Sequence, residues 1–105
     1  MRIGFEARKG KTGILLLHGL TGEPDEVQPL GDYLAARDIS TLGPWLAGHG
    51  TSPKDLAKTT WQDWAQSAKE AYEQLRERCS KVFVGGLSMG ADQALHLAAQ
   101  FPVAG

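Results

Sequence analysis

Residues 81–100 constrain the fold more than any other stretch. Lys81-Val82-Phe83-Val84 is a β-branched and aromatic run that ends in Gly85-Gly86, and Ala91 to Gln100 is rich in strong helix formers. Between them stands Gly86-Leu87-Ser88-Met89-Gly90, so a strand must pass into a helix through one sharp turn. Glycines on either side of the serine remove the side chains that would clash where the two backbones converge, and the serine hydroxyl is lifted above the sheet. The N–H of Met89 falls at a helix N-terminus, where unpaired donors and the macrodipole favour negative charge. Ser88 is thus a candidate nucleophile and the Met89 amide a candidate half of an oxyanion hole.

The rest of the chain alternates strand and helix signals, which predicts an α/β fold with a parallel sheet and helices on both faces. Gly13-Ile14-Leu15-Leu16-Leu17 is apolar without polar alternation, as a strand buried on both faces should be. Leu30, Tyr33 and Leu34 predict a helix over 29–37, with Pro29 suited to its first turn. A second strand is expected over 38–42, broken by Gly43-Pro44, followed by a long irregular loop to about Thr60 that carries Gly48-His49-Gly50. Trp61, Trp64, Ala68, Tyr72, Leu75 and Cys79 recur at helical spacing, which predicts a helix starting near Thr60 and two tryptophans used for packing. Phe101-Pro102 stops the last helix, and Val103-Ala104-Gly105 reads as the start of another strand.

Several function classes are excluded by composition. A net charge of −1 supplies no basic field for nucleic acid or anionic lipid. The longest aliphatic run, Ile14 to Leu17, is far short of the roughly 20 apolar residues that cross a bilayer, and Met1 to Glu6 has no secretory h-region. The expectation is a cytoplasmic protein with no membrane span. Cys79 has no partner for an internal disulfide and reads as a small buried hydrophobe. Gly10-Lys11-Thr12 mimics the end of a phosphate loop, but Gly4 is one residue too far upstream and the segment precedes a strand. No metal-ligand spacing is present, and no cofactor is expected.

His18-Gly19-Leu20-Thr21-Gly22 follows the first buried strand directly. Together with Gly48-His49-Gly50, Trp61-Gln62-Asp63-Trp64 and Gly85-Gly86-Leu87-Ser88-Met89-Gly90, it resembles the bacterial carboxylesterases related to monoacylglycerol lipases. The four motifs stand in that family's order over nearly the whole chain, although Ala91 replaces a glycine frequent there. The resemblance implies an α/β-hydrolase fold and hydrolysis of a small ester, an acyl ester or monoacylglycerol, through an acyl-enzyme on Ser88. It further implies that the Leu20 and Met89 amides form the oxyanion hole, that His18, Gly19, Gly86 and Gly90 support the two loops, and that His49 borders the cleft. Thioesterases and acyltransferases share the fold, and a non-catalytic binding module is the alternative from another class.

A serine hydroxyl needs a general base. His18 and His49 precede Ser88, whereas the fold's chain order is nucleophile, acid, histidine. His96 lies six residues beyond Gly90 on the departing helix, about 9 Å from the turn at 1.5 Å per residue. Asp92 reads as a first-turn carboxylate that complements the helix dipole. The expectation is therefore that residues 1–105 are the N-terminal part of one hydrolase domain, inactive alone, with the acid and histidine elsewhere in the protein.

Overall fold

A computed structural model describes all residues, 1–105, as four strands and four α-helices. The strands are β1 (Ile3–Ala7), β2 (Thr12–Leu17), β3 (Ser40–Pro44) and β4 (Lys81–Gly86), in the spatial order β1-β3-β2-β4. The helices are α1 (Gln28–Ala35), α2 (Pro53–Ala57), α3 (Trp61–Arg76) and α4 (Met89–Gln100). β2 pairs in parallel with both β3 and β4.

The sheet is not wholly parallel, which corrects the expectation. β1 adds to the edge of β3 in antiparallel sense, with Phe5 opposite Gly43 and Ala7 opposite Thr41. Its signal was the alternation Ile3, Phe5, Ala7, and Phe5 is the residue it buries. β3 also runs two residues further than expected, through Gly43-Pro44. Gly43 stays in the strand because the Phe5 ring lies directly over it, where any Cβ would collide with the ring. Pro44 is tolerated as the last residue of the strand.

β2 divides the molecule into two layers. Leu15 and Leu17 point into the larger core, with Leu42, Ala68, Ala71, Tyr72, Leu75, Val82, Ala94 and Leu97 from β3, α3, β4 and α4. Leu16 points the other way, toward Phe5 and Val27, with Ile14 packed beside them. Helices therefore cover both faces, as expected. α1 does so with a different residue than predicted: Gly31 is its buried position, while Leu30 and Tyr33 are about half exposed. A Cβ at Gly31 would come within 2.7 Å of the Phe5 ring, so a missing side chain is what lets the helix approach the sheet.

α3 starts where predicted, with the Thr60 N–H donating to the Asp63 carboxylate at 2.9 Å. It ends at Arg76, so Cys79 is buried from the following turn rather than from the helix. The loop between β3 and α3 is not wholly irregular, since α2 interrupts it, capped by the Ser52 hydroxyl. Val103–Gly105 is not a regular strand but lies along β4, with the Ala104 N–H on the Val82 carbonyl at 2.7 Å and the Val84 N–H on the Gly105 carbonyl at 2.9 Å. No helix is long and apolar enough to cross a membrane.

This layering gives a direct test. Leu15→Ala, at a fully buried position of the central strand, should cost about 2–5 kcal/mol in denaturant unfolding. Leu95→Ala, 71% exposed on α4, should stay within about 0.5 kcal/mol of the parent.

Candidate functional site

The site forms where β2 and β4 end side by side. Their last residues, Leu17 and Gly86, are register partners, so the loops that leave them start from neighbouring points. The Leu87 N–H reaches across to the Leu17 carbonyl at 3.0 Å, and α4 then begins against the end of β2. A Cβ on Gly90 would collide with the Leu17 carbonyl and approach the His18 carbonyl to 2.6 Å. One on Gly86 would run into the backbone of Gly90 and Ala91. Both glycines of the Gly-x-Ser-x-Gly turn are therefore fixed by backbone against backbone.

Ser88 occupies the N-cap of α4 with φ 55° and ψ −116°. A non-glycine residue in this region carries strain of order 1–3 kcal/mol, which the packing on either side must hold in place. Ser88 is exposed and makes no cap hydrogen bond with its side chain, so its hydroxyl is not spent on the helix it begins. The Met89 N–H, first of α4, donates to no backbone carbonyl.

The facing loop is Gly19–Gly22. A Cβ placed on Gly19 would lie 3.7 Å from the Ser88 Cβ, so the loop and the serine are immediate neighbours. Thr21 is β-branched yet has φ 61°, a second strained residue beside the same opening. The Gly19 carbonyl accepts from the Gly22 N–H at 3.0 Å and from the His18 Nδ1–H at 2.8 Å. Because a trans peptide is planar, holding that carbonyl also fixes the direction of the Leu20 N–H in the same peptide unit. No partner within the chain occupies the Leu20 N–H.

The two histidines of the predicted site are braces between loops. The His18 ring is fully buried, and its Nε2 accepts from the Leu46 N–H at 3.1 Å. His49, also buried, accepts at Nε2 from the Thr21 N–H at 3.1 Å, while its Nδ1–H donates to the Ala47 carbonyl at 3.1 Å. The rings stand edge to face with centroids 4.7 Å apart, between Trp45 and Trp64. Since both Nε2 atoms accept, each ring donates from Nδ1. Arg2 locks the same corner from outside, donating to the His49 carbonyl at 2.7 Å and lying over the Trp45 ring. His96, by contrast, is on α4 against the edge of Trp61. Trp64 packs against the core as predicted, whereas Trp61 is 52% exposed.

A cleft of about 370 Å³ opens beside these loops, lined by Thr21, Gly22, Glu23, the Gly48–Pro53 segment and Leu56. His49 borders it, but Ser88 does not line it. Sequence reasoning singled out Ser88, Leu20, Met89, His18, Gly19, Gly86, Gly90 and His49; Gly19 neighbours Ser88, Gly90 packs on the Leu17 and His18 carbonyls, the His18 and His49 rings touch, and of the eight only His49 lines the cleft. It missed Arg2 and Glu26, whose carboxylate accepts the Gly19 N–H at 3.3 Å. Neither belongs to a motif, and only the fold brings them to the loops.

The family model for serine aminopeptidase S33 hydrolases matches residues 8–104. The thermostable monoacylglycerol lipase of Bacillus sp. (strain H-257) is 43% identical over 93% of this chain, and the carboxylesterase of Bacillus subtilis (strain 168) is 35% identical over 96%. A solved structure from work on the metagenome-derived lipolytic enzymes LipS and LipT superposes with a TM-score of 0.90 at 36% identity, over 93% of this chain. The architecture is thus that of the α/β-hydrolase fold. The chain spans 39%, 42% and 40% of the lengths of these three proteins.

The histidine brace makes stability depend on pH. Burial is the main reason that the His18 pKa lies below its ordinary 6.5, the nearby His49 adds to it, and the Gly19 hydrogen bond opposes it. The unfolded chain therefore binds this proton more tightly, so the stabilisation is complete above 6.5 and is lost as pH falls below it toward the native value. Denaturant unfolding on both sides of pH 6.5 should show this loss, and His18→Gln should be less stable at high pH with a flatter dependence. An equally steep pH dependence in the variant would contradict the assignment.

Proposed function

This chain belongs to the serine aminopeptidase S33 family of hydrolases, and from that premise we propose that the protein carrying it is a serine esterase working through an acyl-enzyme on Ser88. The observation that carries the reading is the juxtaposition at the opening. The exposed Ser88 stands at a strained turn, the Met89 amide that follows it has no partner in the chain, and the loop whose Gly19 neighbours Ser88 carries a second unpaired amide at Leu20. Two unpaired amides on neighbouring segments suit an oxygen that becomes negative during reaction.

In this mechanism the Ser88 Oγ attacks the ester carbonyl carbon while a general base takes its proton, and the carbonyl π electrons move onto oxygen. Leu20 and Met89 hold that oxyanion. The tetrahedral intermediate collapses with cleavage of the C–O bond, and the alcohol leaves with the proton returned by the base. Water, deprotonated in its turn, attacks the acyl-enzyme and regenerates the Ser88 hydroxyl. We assign the base and its acid to the part of the protein outside residues 1–105. Support for this comes from His18 and His49, whose Nε2 atoms already accept backbone hydrogen bonds, and from His96, which rests on Trp61 along α4. His18 and His49 serve as loop braces.

The substrate class follows the relatives, named as a monoacylglycerol lipase and a carboxylesterase. We propose a small carboxylic ester, an acyl ester or monoacylglycerol, and a chemistry that needs no cofactor. In the complete protein a fluorophosphonate should label Ser88 and abolish turnover of short p-nitrophenyl esters. Ser88→Ala should lower kcat by at least about 10⁴ with the fold intact. Preferred turnover of aminoacyl p-nitroanilides over esters would overturn the substrate class, and normal turnover by Ser88→Ala would overturn the nucleophile.

A further inference from the structure

Glu26 is an exposed carboxylate that belongs to no motif, yet it turns back across the loop facing Ser88. It ends a single 3-10 turn, Pro24–Glu26, which is anchored by the buried Pro24 and closed by the Val27 N–H on the Pro24 carbonyl. From there its Oε1 accepts the Gly19 N–H at 3.3 Å. Gly22 leaves room for this, since a Cβ at Gly22 would collide with the carboxylate. A free side chain of this length is ordinarily solvated and mobile, so its placement over a glycine-rich turn carries an entropic cost that the hydrogen bond must offset.

The consequence lies in the peptide units. Gly19 populates many backbone conformations, and the loop it begins must present the Leu20 N–H in one direction. His18 and Gly22 hold the Gly19 carbonyl, which fixes the peptide that carries the Leu20 N–H. Glu26 holds the preceding peptide by its N–H, so the two peptide planes on either side of the Gly19 Cα are both pinned. It also occupies the amide donor that directly precedes that of Leu20. We infer that Glu26 is a positioning residue for the reaction, which sets the direction of the Leu20 amide by accepting the Gly19 N–H. This rests on the esterase reading above.

What matters in this arrangement is reach and an acceptor oxygen, and charge is incidental. The test uses the complete protein and p-nitrophenyl ester kinetics, with fluorophosphonate labelling of the parent as a separate control. E26A should lower kcat roughly tenfold with little change in KM, because a loosened amide is missed mainly in the transition state. E26Q, which keeps both length and an acceptor oxygen, should recover most of that loss. E26D, charged but one methylene shorter, should behave like E26A. If E26A fails to fold, the contrast between E26Q and E26D decides. Parent-like kcat in E26D, or E26Q as impaired as E26D, would overturn the role of Glu26 while leaving the esterase reading intact. A parent that hydrolyses esters without labelling at Ser88 would instead overturn that reading, and this inference with it.

Discussion

The close approach of two chain crossings, at Gly86–Gly90 and Leu17–Gly19, is the constraint on which the rest of the molecule depends. Parallel pairing of β2 with β4 brings both strand ends to the same edge of the sheet. The Leu87 to Leu17 hydrogen bond draws the crossings together, the Leu17 and His18 carbonyls then leave no room for a side chain at Gly90, and the backbone of Gly90 and Ala91 leaves none at Gly86. The strained backbone of Ser88 persists because packing on both sides determines it, and an unusual φ at a surface turn is thereby converted into an exposed hydroxyl.

The second loop is held by different means. Gly19–Gly22 has little apolar burial of its own, so hydrogen bonds to buried or anchored partners replace packing. His18 ties it to Leu46, His49 ties Thr21 to the Ala47 segment, and Arg2 ties that segment to the N-terminus. Neutral imidazoles suit this role because each provides one donor and one acceptor on a rigid ring. Both nitrogens of each ring are thereby engaged in hydrogen bonds to the backbone.

Much of this was legible in the residues. Ile14 to Leu17 and Lys81 to Val84 marked the central strands, and Gly-Leu-Ser-Met-Gly marked the turn, because steric exclusion acts over a few residues and leaves glycines at fixed places. The resemblance carried by four motifs pointed to Leu20 and His18, which no local pattern would single out. What escaped was set by tertiary contact. Gly43-Pro44 looked like a strand break, but Phe5 lies over the glycine. Leu30 and Tyr33 looked like the buried face of α1, but the helix approaches the sheet through Gly31. β1 was overlooked although Ile3, Phe5 and Ala7 alternate, since so short a run gains its meaning only from β3 beside it. Glu26 and Arg2 act across turns that the sequence does not join.

The central claim is geometric: a serine hydroxyl and two amide donors share one opening. Its most direct measurement is a crystal structure of the complete protein after reaction with a phosphonate ester. The account predicts a phosphorus–Oγ bond at Ser88, with the phosphoryl oxygen about 2.7–3.1 Å from both the Leu20 and Met89 nitrogens. An adduct whose phosphoryl oxygen faces solvent or other donors, or one formed on a different side chain, would contradict it.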